Sequence, residues 1–145
     1  MEGAVRINAK PVKVRATLLV YFADLTPEHI TDILKLTPDK AFVRGEQSPN
    51  RSKSKLIGSW HLSSPSVNSD DPNDHLEDLT SRLANKHKEI ERLIELGCDV
   101  YIDCRIGIEH WNTAVDLSVR VLAALAKLSI PLRLDIYDEQ TNSSN

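Results

Sequence analysis

Eleven consecutive residues set the main constraint on this chain. Val12, Val14, Ala16, Leu18, Val20 and Phe22 occupy every second position, with Lys13, Arg15, Thr17, Leu19 and Tyr21 between them. A pleated strand sends successive side chains to opposite faces, so this rhythm specifies a strand with one dry side and one wet side. The same alternation returns three times. Leu56 to Ser63 places Leu56, Gly58, Trp60 and Leu62 on one side, with Ile57, Ser59 and His61 on the other. Cys98 to Ile108 sends Val100, Ile102, Cys104, Ile106 and Ile108 inward and Asp99, Tyr101, Asp103 and Arg105 outward, and Leu132, Leu134 and Ile136 form a last alternating strand. A shorter strand is expected over Lys40 to Glu46. A sheet with one apolar face must bury that face under another layer.

Helical signals lie between the strands. Thr26 is suited to the N-cap, Pro27 to the first helical position and Glu28 to the positive end of the helix dipole. Ile30, Ile33, Leu34 and Leu36 make the apolar stripe, and Pro38 ends it. From Asp71 or Pro72 to Leu96, the spacing of Leu76, Leu79, Leu83, Ile90, Leu93 and Ile94 predicts one long helix, with Gly97 in the left-handed position after it. Leu117-Ser118 opens a third helix, with Ser118 as its cap and Leu122, Leu125 and Leu128 buried before Pro131. Gln47 to Lys55 and Pro65 to Pro72 read as solvated connections.

The order β-α-β-β-α-β-α-β predicts an α+β fold: a two-layer sandwich with a ferredoxin-like βαββαβ core extended by a C-terminal α-β unit. The last strand fits beside either the second or the fourth. A chain of 145 residues suits a single domain, 1–145, with frayed termini at 1–10 and 140–145.

Composition narrows the class of function. Eighteen Lys and Arg against 21 Asp and Glu give a net charge of -3, without the basic excess of a dedicated nucleic-acid binder. No apolar run approaches the roughly 20 residues of a membrane-spanning helix, and Met1 to Lys10 lacks the apolar stretch of a secretory signal. The expected location is the cytoplasm.

The chain resembles a bacterial family known as domain of unknown function 4279. The resemblance rests on Leu25-Thr26-Pro27, Ile30-Thr31, Leu34, Leu36, Pro38-Asp39, Arg44-Gly45-Glu46, Trp60-His61-Leu62-Ser63, Leu76 to Leu83, Leu117-Ser118, Leu125-Ala126 and Leu132 to Tyr137. It spans about Val14 to Asp138 and implies a small bacterial protein without an established activity. It brings no catalytic residues with it.

Motifs for most catalytic and metal chemistries are missing. Cys98 and Cys104 stand six positions apart in one strand, roughly 20 Å, too far to pair, and both lie on its apolar side as structural thiols. His29, His61, His75, His87 and His110 include no H-E-x-x-H spacing, and the acidic run Asp70 to His75 lacks the Gly and Glu of a calcium loop. That run reads as a helix N-terminus, and His87 as a residue at the edge of the long helix's apolar stripe. Arg51-Ser52-Lys53-Ser54-Lys55 lacks the glycines of a phosphate-binding loop. No cofactor or metal is expected.

The wet face of the sheet is the candidate site. Alternation gathers Arg15, Tyr21, His61, Tyr101, Asp103, Arg105, Arg133, Asp135 and Tyr137 there, together with Leu19. Tyr and Arg favour interfaces because they combine large contact area with polar tips. The plain alternative is a solvated face laced by ion pairs such as Asp103 with Arg133 or Arg15. The expected function is a non-catalytic binding module, engaging a protein partner, immunity-type by analogy, or a second copy through this face. Its alternatives are a small-ligand sensor and an enzyme built on His61 with Asp103 or Asp135.

Overall fold

The computed structural model describes residues 8–45, 57–64 and 67–139. Along the chain run β1 (Val12–Phe22), α1 (Pro27–Leu34), β2 (Lys40–Phe42), β3 (Gly58–Ser63), α2 (Pro72–Arg82), α3 (His87–Glu95), β4 (Asp99–Ile108), α4 (Val119–Leu128) and β5 (Leu132–Asp138). The fold is α+β. The strands form one sheet in the order β2-β3-β1-β4-β5, antiparallel except for the parallel pair β4 and β5. The last strand therefore joins beside the fourth. Parallel neighbours need a crossover, and α4 supplies it.

Alternation assigns the core as expected. Ala16, Leu18, Val20, Trp60, Ile102, Cys104 and Ile106 are buried with Ile30, Leu34, Leu76, Leu79, Leu83, Ile90 and Leu93 in one hydrophobic cluster. The helices thus cover a single face of the sheet. Trp60 is fully buried, and its Nε1 donates to Thr31 Oγ1 at 3.0 Å, so the indole's polar atom is satisfied at the core's edge.

Local chemistry sets the helix ends. Thr26 caps α1 by accepting from the His29 amide at 3.3 Å, and His29 Nδ1 accepts from the Thr26 amide at 3.0 Å. Asp71 and Ser118 cap α2 and α4 by accepting from Asn73 N and Val121 N. Gly97 takes φ 92°, a left-handed conformation open to glycine at no steric cost.

Several expectations are corrected. The single helix over 71–96 is two helices. The chain breaks at Asn85, which adopts φ 71°, a conformation that Asn tolerates better than most residues. Leu83 and Ile90 lie seven residues apart, so the apolar stripe runs on across the break and periodicity cannot reveal it. In α4, Val121 is buried in place of Leu122, which is 49% exposed. The apolar side of β5 is open to solvent at Leu134 and Ile136. β2 stops at Phe42, and the first strand shifts register between Val12 and Arg15, with Lys13 at φ 52°. Within the expected frayed stretch 1–10, Ala9 bridges to Thr113. The expected strand residue Leu56 and the connection Gln47 to Lys55 fall outside the described residues, as do Gln140 to Asn145.

Candidate functional site: the outer face of the sheet

Register decides which outward side chains meet. Leu19 lies between His61 and Tyr101, Thr17 between Ser63 and Asp103, and Tyr21 between Ser59 and Asp99. Arg15 pairs directly with Arg105, Asp103 with Arg133 and Arg105 with Asp135. The nine expected residues lie on this face, seven of them in two groups, with Arg15 and His61 in neither.

The first group centres on Tyr101. Tyr21 stacks on it with ring centroids 6.0 Å apart. From the other side, the Arg133 guanidinium carbon sits 4.4 Å from the Tyr101 ring centroid, and Arg133 Nη1 donates to the Tyr101 hydroxyl at 3.1 Å. So covered, Tyr101 is only 8% exposed and belongs to the buried part of the protein. Burial first, and then the Tyr21 hydroxyl, push its pKa up to about 12. Leu19, expected on the wet side, is buried as well.

The second group centres on Arg105. Its guanidinium carbon lies 4.1 Å from the Tyr137 ring centroid, and its Nη2 lies 3.7 Å from Glu139 Oε1. The Tyr137 hydroxyl donates to Asp135 Oδ2 at 3.1 Å. Partial burial, and then Asp135, raise the Asp103 pKa, against the opposing pull of Arg133 and Arg105. Neither Arg133 nor Arg15 closes on Asp103 as an ion pair among the described residues, because Arg133 is turned onto Tyr101. Sequence reasoning missed Glu139, whose buried carboxylate accepts from Lys13 Nζ at 3.2 Å. Only the fold brings these two residues, 126 positions apart, together.

His61 stands apart from both groups. It contacts Ser59 Oγ at 3.1 Å and the Phe42 ring edge-on at 6.2 Å. The register puts it about 12 Å from Asp103 and roughly 20 Å from Asp135, from strand spacing and rise. Neither aspartate expected to act with it lies within hydrogen-bond reach.

A family model described as Domain of unknown function (DUF4279) matches residues 12–139, from the first residue of β1 to just past β5. The chain belongs to the DUF4279 family. No curated protein and no solved structure matches it.

In this DUF4279 chain, the residues that first carried the resemblance hold the fold together. Thr26 and Ser118 are caps, Trp60 is core, and Ser63 N donates to Asp39 Oδ2 at 2.5 Å. One further pairing has the form of a nucleophile and its base. Ser64 Oγ lies 2.8 Å from His75 Nδ1, and His75 Nε2 lies 2.6 Å from Ser69 O. The Ser69 carbonyl accepts from Nε2, while Ser64 Oγ and Nδ1 share the other hydrogen bond and Ser64 Oγ also lies 3.3 Å from Ala16 O. Ser64 and His75 are 1% and 2% exposed, so no substrate reaches them, and the pair ties the end of β3 to α2. Burial also raises both thiols, Cys104 to about 12, which leaves them unreactive.

Proposed function

We propose that this protein is a non-catalytic binding module that takes a protein partner on the outer face of its sheet. The observation that carries the reading is the pairing of Arg15 with Arg105 across β1 and β4. Both arginines are exposed, and like charges placed directly opposite each other destabilise a sheet. Arg105 has Tyr137 and Glu139 beside it, whereas Arg15 forms no ion pair with another described residue. A partner carboxylate seated between the two guanidinium groups would relieve that repulsion. The flanking Tyr137 ring offers apolar contact area at low entropic cost. The partner suited to this face therefore presents acidic groups beside an apolar patch.

We read the elements from β1 to β4 as a ferredoxin-like core with α4 and β5 added, supported by the antiparallel order β2-β3-β1-β4. The setting we propose is the bacterial cytoplasm, supported by two buried thiols too far apart to pair.

The test is retention from an extract of the native host on immobilised wild-type protein and on Arg15→Ala/Arg105→Ala. The expected result is a protein held by the wild type and lost with the variant, while melting temperatures agree. Equal retention by both, or retention by neither, would overturn the reading.

A further inference from the structure

The two edges of the sheet differ in kind. β2 is three residues long and carries Lys40, features that blunt an edge against pairing with another chain. β5 is seven residues long, Leu132-Arg133-Leu134-Asp135-Ile136-Tyr137-Asp138, without Lys, Pro or a bulge. Ile102 N donates to Pro131 O, so the odd-numbered residues of β5 turn their backbone groups toward β4. The amides and carbonyls of Leu132, Leu134 and Ile136 therefore point off the sheet, with no further strand among the described residues to receive them. The apolar side chains of this strand are also open: Leu134 is 43% exposed and Ile136 53%.

We propose that a second copy of the chain pairs here, β5 against β5 antiparallel, about a two-fold axis at Leu134. Charge selects this occupant and this register. With Leu134 opposite its own copy, Arg133 of each chain faces Asp135 of the other, and Leu132 faces Ile136. All three apolar pairs then fall at positions whose backbone groups are free to exchange hydrogen bonds. A shift that centres the axis on Asp135 sets two carboxylates against each other, and one centred on Arg133 sets two guanidinium groups together. Each Asp135 already lies close enough to Asp103 to raise that group's pKa, and a partner Arg133 would neutralise the acidic pair. The product is a continuous ten-stranded sheet with both outer faces on one side. It does not depend on the Arg15–Arg105 reading, whose two arginines stand on β1 and β4.

Sedimentation of the full chain over a concentration series tests this. A dimer is expected for the wild type. Leu134→Lys should yield a monomer, since a lysine at the axis opposes its own copy. Asp135→Arg should weaken the dimer about tenfold or more, from two like-charged pairs. The exchange Arg133→Asp/Asp135→Arg should recover it, because the charges again alternate across the axis. Leu134→Cys should cross-link to itself on oxidation, since residues opposite each other at a hydrogen-bonded site have Cα atoms about 5.5 Å apart. A wild-type monomer at every concentration overturns the proposal. So does a dimer that survives Leu134→Lys, or a Leu134→Cys protein that folds without cross-linking.

Discussion

Arg133 covers Tyr101: its guanidinium carbon lies 4.4 Å from the ring centroid while Nη1 donates to the hydroxyl at 3.1 Å. One side chain on the sheet's edge strand thus closes over a tyrosine on its neighbour. Tyr101 becomes part of the protein's interior although it stands on the face away from the helices.

The two stacked tyrosines should therefore respond differently to truncation. Tyr101→Ala removes a side chain that is 8% exposed and should cost about 3 kcal/mol, read from urea unfolding. Tyr21→Ala removes mainly the stacking contact, for about 1 kcal/mol. Equal costs would mean that the Arg133 cover contributes nothing.

Alkaline pH should weaken the fold through Tyr101. Its folded pKa is about 12 against an ordinary 10.0. Below pH 10 both states hold the proton, and the neutral phenol's place in the fold is intact. Between pH 10 and 12 the unfolded chain gives up the proton while the folded one keeps it, so stability falls as pH rises. Phenolate absorbance should show one tyrosine titrating together with unfolding, and Tyr101→Phe should flatten stability across that window.

Asp103 has an effect of the same sign at low pH: stability falls as pH rises above 3.8. Its folded pKa lies above 3.8, so the ionised carboxylate is disfavoured in the fold once pH exceeds that value. Asp103→Asn should be at least as stable as the wild type at neutral pH. The difference should shrink on acidification, followed by thermal melts in a buffer series.

Asn85 separates α2 from α3 at φ 71°. Asn85→Ala should cost about 1 kcal/mol, because a Cβ without a polar side chain gains nothing in that conformation. Asn85→Gly should lie within about 0.5 kcal/mol of the wild type. A neutral alanine variant in chemical denaturation would show that the two helices join as one without strain.

Trp60→Ala should cost about 3–5 kcal/mol, as the side chain is fully buried. Thr31→Val removes the acceptor of the Trp60 indole at nearly constant volume and should cost about 1 kcal/mol; urea unfolding reads both variants.

The sequence by itself determined the four long strands, which face of the sheet each of their side chains takes, and the caps at Thr26 and Ser118. These depend on the two-residue pleat and on side chains reaching their own neighbouring amides, both local properties. It placed Trp60 in the core and brought Arg15, Tyr101, Asp103, Arg105 and Arg133 onto one face. The tertiary structure alone decided that β5 stands beside β4, that Leu134 and Ile136 stay uncovered, and that Arg133 turns onto Tyr101 rather than Asp103. It also brought Glu139 to Lys13, and kept His61 away from both aspartates. Alternation states which side of a strand a residue occupies. It carries no information on which strand lies next to it or in what register, and those distances decide whether Arg133 meets Asp103 or Tyr101 and how far His61 stands from either aspartate.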